Sequence, residues 1–541
     1  MGMQGLAEWV VSWRRALLLV AILVTVGLGM GVRHLSIIID LDDTLPQTHR
    51  FLVATNTADR VFGNKAAIVI GITAKTGEPL SSGLLAAVKG ITEGVSHAQG
   101  VVTSSVTSLS ARKVKDIVGT QEGLDVHRFL QNLPLSDEER RLLLQRVQRH
   151  EGFRDLIASD KGTTAAVIAE FAKDKDGFKA IVERVHAIAD PYRSADVDIV
   201  VGGQAVFLGL VEKYSDRMLW LFPIALLVIG LIHWEAFRSL QGLALPLVTG
   251  LLAVIWSVGV MGWAGVPLDA FNSTTPVLIL AVAAGHAVQV LKRYYEEYAK
   301  SSATGMDLSS ANRLAVVQSL TAVGPVLVAA GTVAALSFVS LTVFEISTIR
   351  TFGLFAALGI AFSVLIELSV MPALRASLPA PSMIHVQREQ HAGWWDAVAE
   401  FLAQAVLVRT RVVLFGSLLL AVVFAMGAVT VTIDNSLRSY FLPSVPERID
   451  DANLNRRLPG NNLLYVLVHG GQPDVMKSPE VLRAMEDTQR FLDREPAVGK
   501  TVSIVNFIKQ IDASFAGAQR PGRIPESADQ VGQYLLLNSM S

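Results

Sequence analysis

The sequence contains no cysteine among its 541 residues. This absence excludes disulfide bonds, thiolate catalysis and cysteine-ligated metal sites in this chain. The net charge is −1 and no basic patch dominates, so we expect no nucleic-acid partner. A phosphate-binding loop of the Gly-x-x-x-x-Gly-Lys-Ser/Thr type is also missing, which disfavours ATP as an energy source. We therefore expect no cofactor, no metal site and no enzymatic activity.

Long apolar runs, in contrast, are abundant. Apolar residues make up 51% of the chain and charged residues only 18%. A helix needs about twenty apolar residues to cross the roughly 30 Å hydrocarbon core of a bilayer, and windows of this length predict seven spans. The windows are residues 15–33, 218–234, 241–264, 273–291, 318–342, 351–374 and 411–431. The first lacks a small-x-small cleavage pattern, so we interpret it as a retained anchor.

Basic residues in the short flanks fall mostly on one side of these spans, with Arg33 and Arg350 as exceptions. The positive-inside rule then places the N-terminus of a multi-pass membrane protein in the cytoplasm. An odd number of spans places residues 34–217 and 432–541 together on the external face, which would be the periplasm if the protein lies in a bacterial inner membrane. The basic residues on the cytoplasmic side are Arg14, Arg15, Arg238, Lys292, Arg293, Lys300, Arg313, Arg375, Arg409 and Arg411.

The first external segment has the pattern of a compact α+β domain. Two strand–helix–strand units, near residues 66–106 and 163–201, suggest a split, ferredoxin-like arrangement. Between them we predict a helical insert over residues 111–160. The predicted strands are 66–72, 101–106, 163–171 and 197–201, and the predicted helices are 82–95, 176–189 and one beginning near Gln204.

The opening of the chain recurs almost four hundred residues later, in the same order. Asp40-Leu-Asp42 after the first span is echoed by Asp434-Asn-Ser after the last, and Phe62-Gly-Asn before a strand is echoed by Pro459-Gly-Asn before residues 463–468. The helix at 82–95 is echoed at 478–493, and Pro134-Leu-Ser by Pro525-Glu-Ser. We interpret the second repeat as incomplete, either truncated or completed by another polypeptide.

His286 lies in an otherwise apolar window, and ionisable groups in hydrocarbon usually mark a path for protons, ions or substrates. The alternative is an imidazole hydrogen-bonded to a neighbouring helix. Glu367 lies at similar depth in the sixth span, so we predict that it faces His286 directly or through a water; it could instead snorkel or cap a helix. Gln289, one turn from His286, would orient the imidazole or pack between helices.

This architecture, together with Gly285-His286 and the exit Lys292-Arg-Tyr-Tyr-Glu-Glu297, resembles the resistance-nodulation-division superfamily. Within it, the chain is similar to the branch that includes MmpL-type lipid exporters and hopanoid transporters, and residues 218–374 resemble a sterol-sensing domain. Relatives carry proton-accepting aspartates near the position of His286, where this span has no acid. The resemblance implies either that His286 inherits that role or that this branch is not proton-driven.

The resemblance implies a proton-driven exporter of hydrophobic or lipid-like molecules, with His286, Glu367 and Gln289 as the proton relay. The alternatives are a lipid- or sterol-binding sensor and an auxiliary of protein export similar to the SecDF branch. Expected partners are the substrate and membrane lipids, with a dimer or trimer of the chain and a periplasmic carrier protein as further candidates. The predicted domains are a first helix (1–33), a periplasmic domain (34–217), a five-helix block (218–374), a linker with an interfacial helix (375–410), a seventh helix (411–431) and a second periplasmic segment (432–541).

Overall fold

The computed structural model describes residues 2–36, 45, 46, 48–62, 66–120, 123–172, 177–218, 220–269, 272–382, 394–432, 434, 436–462, 464–472, 474–516 and 520–540. The chain divides into two compact units. We call Met1–Gln47 with Tyr214–Asp434 the helical unit, and Thr48–Lys213 with Asn435–Ser541 the α+β unit. The two segments predicted to lie outside the membrane therefore contribute most of one unit.

Helices make up most of the described chain. In the first half they are α1 (Met3–Ser12), α2 (Arg14–Gly31), α3 (Arg50–Phe62), α4 (Ser82–Ser96), α5 (Asp137–Arg149), α6 (Gly177–Ala189), α7 (Gln204–Met218), α8 (Leu221–Phe237) and α9 (Leu240–Trp263). In the second half they are α10 (Thr275–Ala303), α11 (Leu308–Val339), α12 (Ser347–Ser377), α13 (Trp394–Val408), α14 (Thr410–Ala428), α15 (Pro446–Arg457), α16 (Pro479–Leu492), α17 (Ile504–Phe515) and α18 (Ala528–Met540).

Within the described residues, six helices are long and apolar enough to cross a membrane, and they correspond to six of the seven predicted spans: α2, α9, α10, α11, α12 and α14. The prediction of a helical membrane protein is thus confirmed. The remaining window, 218–234, is the apolar helix α8, which is only 17 residues long. That length is at the lower limit for a span, so the seventh crossing and the external C-terminus stay predictions. Residues 394–408 form the predicted linker helix, α13.

Close backbone contact joins α2 to α9. A methyl group on Gly259 would collide with the backbone of Leu28, and one on Gly262 would collide with the carbonyl of Gly31. Trp256 of α9 donates from its indole nitrogen to Thr25 Oγ1 at 2.9 Å across the same interface. Small residues at these positions therefore let the two helices approach, as is common between helices in membranes.

We expect Gly259→Ala to lower the free energy of unfolding by about 1–3 kcal/mol, because the added methyl group must displace α2. The measurement is unfolding of the full chain in detergent, followed by tryptophan fluorescence. Gly416→Ala is the matched control, since nothing lies within 4 Å of a Cβ at that position on α14. Equal stability of the two variants would contradict the close packing of α2 on α9.

The α+β unit contains a three-stranded antiparallel sheet in the order β4-β1-β5, formed by Thr164–Phe171, Ala66–Ala74 and Val197–Gly202. Because β4 and β5 both run antiparallel to β1, they are parallel to each other, and α6 connects them across β1. All three strands coincide with predicted ones. Their β-branched, nearly continuous apolar runs suit strands buried on both faces.

Two predictions for the first external segment are wrong. Residues 101–106 form no regular strand: Val101 and Thr107 make isolated bridges to β4, with a 3-10 turn over Thr103–Ser105 between them. The insert 111–160 is only partly helical, because it opens with a hairpin of β2 (Lys115–Thr120) and β3 (Gly123–Arg128) before α5. The hairpin strands carry many charged residues and therefore lack the apolar periodicity that identifies strands.

The predicted strand at 463–468 is also wrong, although the surrounding helices α15 and α16 match α3 and α4 in order. Residues 464–469 have no regular structure, and Leu464 is 73% exposed. Strand β1 obtains its ladder partners from β4 and β5. The described residues after α16 contain helices and no strand, whereas a strand needs a neighbouring strand to satisfy its backbone groups.

The later segment of the chain packs on the earlier one within this unit. Leu454 of α15 and Leu458, which directly follows the helix, lie on the face of the sheet formed by Val69, Ala166 and Val200. Arg457 donates to Asp198 Oδ2 at 3.0 Å at the edge of this contact. The apolar stripe of α15 is thereby buried against the sheet.

A buried histidine lies at a second contact between these segments. His150 stacks on Phe153 with a ring-centroid distance of 4.4 Å and meets Phe507 of α17 edge-on at 6.2 Å. It is only 2% exposed, and its Nδ1 has no hydrogen-bond partner. Burial among aromatic rings lowers the pKa of His150 to about 4, because the site disfavours the charged imidazolium.

We expect the stability of the α+β unit to fall as the pH drops from about 6.5 to about 4. Across that window the unfolded histidine binds a proton and the folded one does not, which costs about 3 kcal/mol. Full stability is present above the window. The buried carboxyl of Asp116, whose pKa is raised by desolvation, acts in the opposite direction, so the comparison variant is His150→Phe.

The chain offers a direct way to measure this effect. None of its tryptophans lies in the α+β unit, and the absence of cysteine permits one labelled cysteine at exposed Ala484 to report urea unfolding. The difference in stability between the wild type and His150→Phe should change across the window. If the difference in stability between the two proteins stays constant across this pH window, the lowered pKa of His150 does not contribute to stability.

Candidate functional site

The most deeply buried carboxyl group of the helical unit belongs to Glu367, on α12. Its side chain is fully buried, and neither carboxyl oxygen has a hydrogen-bond partner. Ile366 and Val370 on the same helix belong to an apolar cluster shared with α2, α9 and α10. An unpaired carboxyl group in such surroundings is costly, so Glu367 does not stabilise the fold in the way that a hydrogen-bonded or ion-paired group would.

Two hydroxyl groups accompany Glu367. Thr249 of α9 faces the carboxyl group, but its hydroxyl is directed at the carbonyl oxygens of Leu245 and Pro246, both at 3.2 Å. Ser363 precedes Glu367 by four residues, hence by about one turn on the same side of α12. It is also fully buried, and its Oγ has no hydrogen-bond partner.

His286 lies at the margin of this core. Its neighbours Ala283 and Ala287 are buried, whereas His286 is half-buried and Gln289 is exposed. The Nδ1 atom of His286 has no hydrogen-bond partner. Since both oxygens of Glu367 also lack partners, the predicted direct contact between His286 and Glu367 is not formed in this conformation. A water-mediated contact and the orienting role of Gln289 stay predictions.

Arg375 has a buried position that counting basic residues in the flanks of the spans did not reveal. The sequence analysis assigned it to the cytoplasmic flank, but α12 continues to Ser377 and buries Arg375 to 1% exposure. Its guanidinium stacks 4.7 Å from the ring centroid of Tyr294. The sequence did contain a signal for this contact, because the end of the fourth predicted span is rich in aromatic residues. An arginine near such residues favours a cation–π contact.

The hydrogen bonds of Arg375 join four helices. Nη1 donates to Gln241 Oε1 of α9 at 2.8 Å, and Nη2 donates to the Tyr294 hydroxyl of α10 at 2.9 Å and to the Pro379 carbonyl at 2.9 Å. The Tyr294 hydroxyl in turn donates to Asn312 Oδ1 of α11 at 2.7 Å. All these acceptors are neutral, so the guanidinium charge is solvated by dipoles in place of a carboxylate.

Long apolar helices packed around a buried carboxyl group and a buried guanidinium define a multi-pass helical membrane protein with an ionisable core. The sequence profile of the MMPL family matches residues 44–409, about two thirds of the chain. The chain therefore belongs to the MMPL family.

Relatives with this similarity come from several organisms. The chain is 23% identical to membrane protein MJ1562 of Methanocaldococcus jannaschii over 66% of this chain and 89% of that protein. It is 22% identical to the sulfolipid-1 exporter MmpL8 of Mycobacterium tuberculosis, over 60% of this chain but only 29% of the exporter. With the membrane protein ActII-3 of Streptomyces coelicolor it shares 23% identity over 68% of this chain and 51% of ActII-3.

Proposed function

We propose that this protein exports hydrophobic or lipid-like molecules across the bacterial inner membrane and is driven by the proton gradient. Glu367 takes up the coupling proton, and His286 assists the transfer from the margin of the core, with Gln289 orienting it. The observation that carries the proposal is the fully buried, unpartnered carboxyl group of Glu367 in the helical unit. Membership of the MMPL family and similarity to a sulfolipid-1 exporter support the transport of lipids.

The proton chemistry follows from the surroundings of Glu367. A carboxylate there is disfavoured by desolvation, whereas a neutral carboxylic acid is tolerated. Gain or loss of one proton by Glu367 thus changes the energy of this core. A conformation in which water reaches Glu367 favours release of the proton. This is the differential stabilisation that coupling to a conformational equilibrium requires.

We also propose the remaining topology. The N-terminus lies in the cytoplasm, and the α+β unit lies in the periplasm with a ferredoxin-like arrangement. The sheet order β4-β1-β5 with α6 as a crossover supports that arrangement. A dimer or trimer of the chain and a periplasmic carrier protein are the partners that such an exporter would use.

The proposal is tested with the full chain in liposomes that contain bacterial envelope lipids and a trapped pH dye. An imposed pH gradient should drive proton flux together with transfer of labelled lipid between leaflets, and a protonophore should stop both. Lipid that binds without gradient-dependent movement would contradict the exporter and favour the lipid sensor.

We expect His286→Ala to reduce gradient-driven lipid transfer by roughly 100-fold, the lower end of what a positioned proton-transfer group contributes, and to flatten its pH dependence. The assay is the liposome assay above. Gln318→Ala, an exposed position on α11, should transport normally. Unchanged transport by His286→Ala would remove this residue from the relay.

A further inference from the structure

A row of positions along one side of α12 runs from its first turns to Glu367, and its last two members, Ser363 and Glu367, are fully buried polar residues. Positions 351, 355, 359, 363 and 367 follow one another at intervals of four residues, each about 6 Å further along the axis. Such positions form one ridge of a helix. We call them the α12 row.

Ser257 of α9 bridges the middle of this row. Its Oγ donates to the Phe355 carbonyl at 2.9 Å and is buried. A methyl group on Gly359 would collide with Ile279 Cδ1 and lie 3.2 Å from the same Oγ. The glycine thereby lets both Ile279 and the Ser257 hydroxyl pack closely against α12 between Thr351 and Ser363.

At the start of the row, the amide of Asn272 has a defined orientation. Its Nδ2 donates to Asp269 Oδ2 at 2.8 Å and to Thr351 Oγ1 at 2.9 Å. The Thr351 hydroxyl donates in turn to carbonyl oxygens of its own helix, at 3.0 and 3.1 Å. A flipped amide would place an oxygen against the carboxylate, which excludes that assignment.

With the Asn272 amide in this orientation, two buried polar atoms remain that can hydrogen-bond to water. Asn272 Oδ1 and Thr275 Oγ1 are buried without hydrogen-bond partners. The two residues are three apart where a 3-10 turn enters α10, a spacing at which side chains stand above one another. Buried polar atoms of this kind usually hold ordered water.

Ser363 differs from the two serines that follow it on α12. Ser369 and Ser377 donate to the carbonyl four residues earlier, at 2.5 and 2.8 Å, as helical serines commonly do. The Ser363 Oγ makes no such bond. Both its hydrogen and its lone pairs are therefore available, one turn from the carboxyl group of Glu367.

We propose that Ser363 is the proton-transfer residue for Glu367, and that protons reach it from the Asn272 end of the helical unit past Ser257 once the Ile279 side chain moves away from Gly359. Ser363 passes its hydroxyl hydrogen to the carboxylate while its oxygen accepts a proton from a hydronium ion on the Asn272 side, which is left as water. One O–H bond breaks and one forms, so the hydroxyl is regenerated. The inference rests on the proposed proton coupling.

Among the described residues, no charged side chain is hydrogen-bonded to Glu367 in this conformation, and His286, which assists from the margin of the core, is not bonded to it either. Thr249 faces the carboxyl group and is neutral. Arg375 is two turns further along α12 and is held by Gln241, Tyr294 and Pro379. A guanidinium remains protonated and does not transfer protons at ordinary pH.

The test measures protonation of Glu367 in the full chain by infrared spectroscopy after a pH jump. The carboxyl C=O band is assigned by its loss in Glu367→Gln. We expect Ser363→Ala to slow the appearance of this band at least tenfold and to lower proton flux in liposomes equally. Ser363→Thr, which keeps a hydroxyl, should restore both.

Ser369→Ala is the matched control, because it removes a hydroxyl on the same helix that is bonded to its own backbone. It should behave as the wild type. A normal band with unchanged kinetics in Ser363→Ala would overturn the assignment of Ser363 while leaving Glu367 as the coupling group. Absence of a titrating band in the wild type would instead refute the proposed function.

Discussion

We expect Glu367→Gln to reduce gradient-driven lipid transfer in liposomes by about 100-fold or more, since glutamine has nearly the same shape but cannot bind and release the proton. The variant should fold. Because the carboxyl oxygens have no hydrogen-bond partner to lose, the free energy of unfolding should stay within about 1 kcal/mol of the wild type or rise. Loss of transport with retained stability separates a coupling role from a structural one.

The control for this prediction is Glu345→Gln, which removes an exposed carboxylate before α12 and should leave transport intact. Glu367→Asp adds a graded test, because it keeps the titrating group but withdraws it by one methylene. We expect it to retain part of the flux. Wild-type transport by Glu367→Gln would contradict the assigned role.

The second large effect concerns stability. We expect Arg375→Ala to lower the free energy of unfolding by about 3–5 kcal/mol, because hydrogen bonds to a charged donor and the packing of a buried side chain are lost together. The substitution leaves the buried Tyr294 hydroxyl without its arginine donor and opens a cavity beside the ring. Unfolding in mixed micelles, followed by tryptophan fluorescence, measures the loss.

Arg313→Ala provides the comparison, because Arg313 follows Asn312 directly on α11 but is exposed. Its effect should stay within about 0.5 kcal/mol. Arg375→Lys should fall between the two, since an ammonium group cannot reproduce the planar fork that reaches three helices. If Arg375→Ala and Arg313→Ala were equally stable, the network would contribute nothing to the fold.

Elements with a strong pattern were predictable. The apolar windows became helices because length and hydropathy alone decide whether a segment suits a bilayer, and β1, β4 and β5 followed from β-branched runs. The segment 464–468 has the same local character as β1. It forms no strand in the described chain because a ladder needs neighbouring strands, and a local pattern carries no information about them.

The sequence pointed to ionisable residues within apolar helices but not to their arrangement. Counting along spans correctly found two ionisable residues, His286 and Glu367, in apolar windows. Side chains of successive helix residues point in directions about 100° apart. If the face that packs against the neighbouring helices is misjudged by one residue, a side chain expected in the core lies at its margin instead. That is why Glu367 is central, while His286 is peripheral and Gln289 is exposed.

By itself, the sequence determined the membrane-spanning class and the presence of ionisable groups in apolar helices, because composition and spacing decide both of these locally. Only the tertiary structure decided that Arg375 is solvated by Gln241 and Tyr294, and that Ser363 has an uncommitted hydroxyl beside Glu367. Burial and hydrogen bonding depend on which faces of several helices meet. That meeting is a property of the packed molecule.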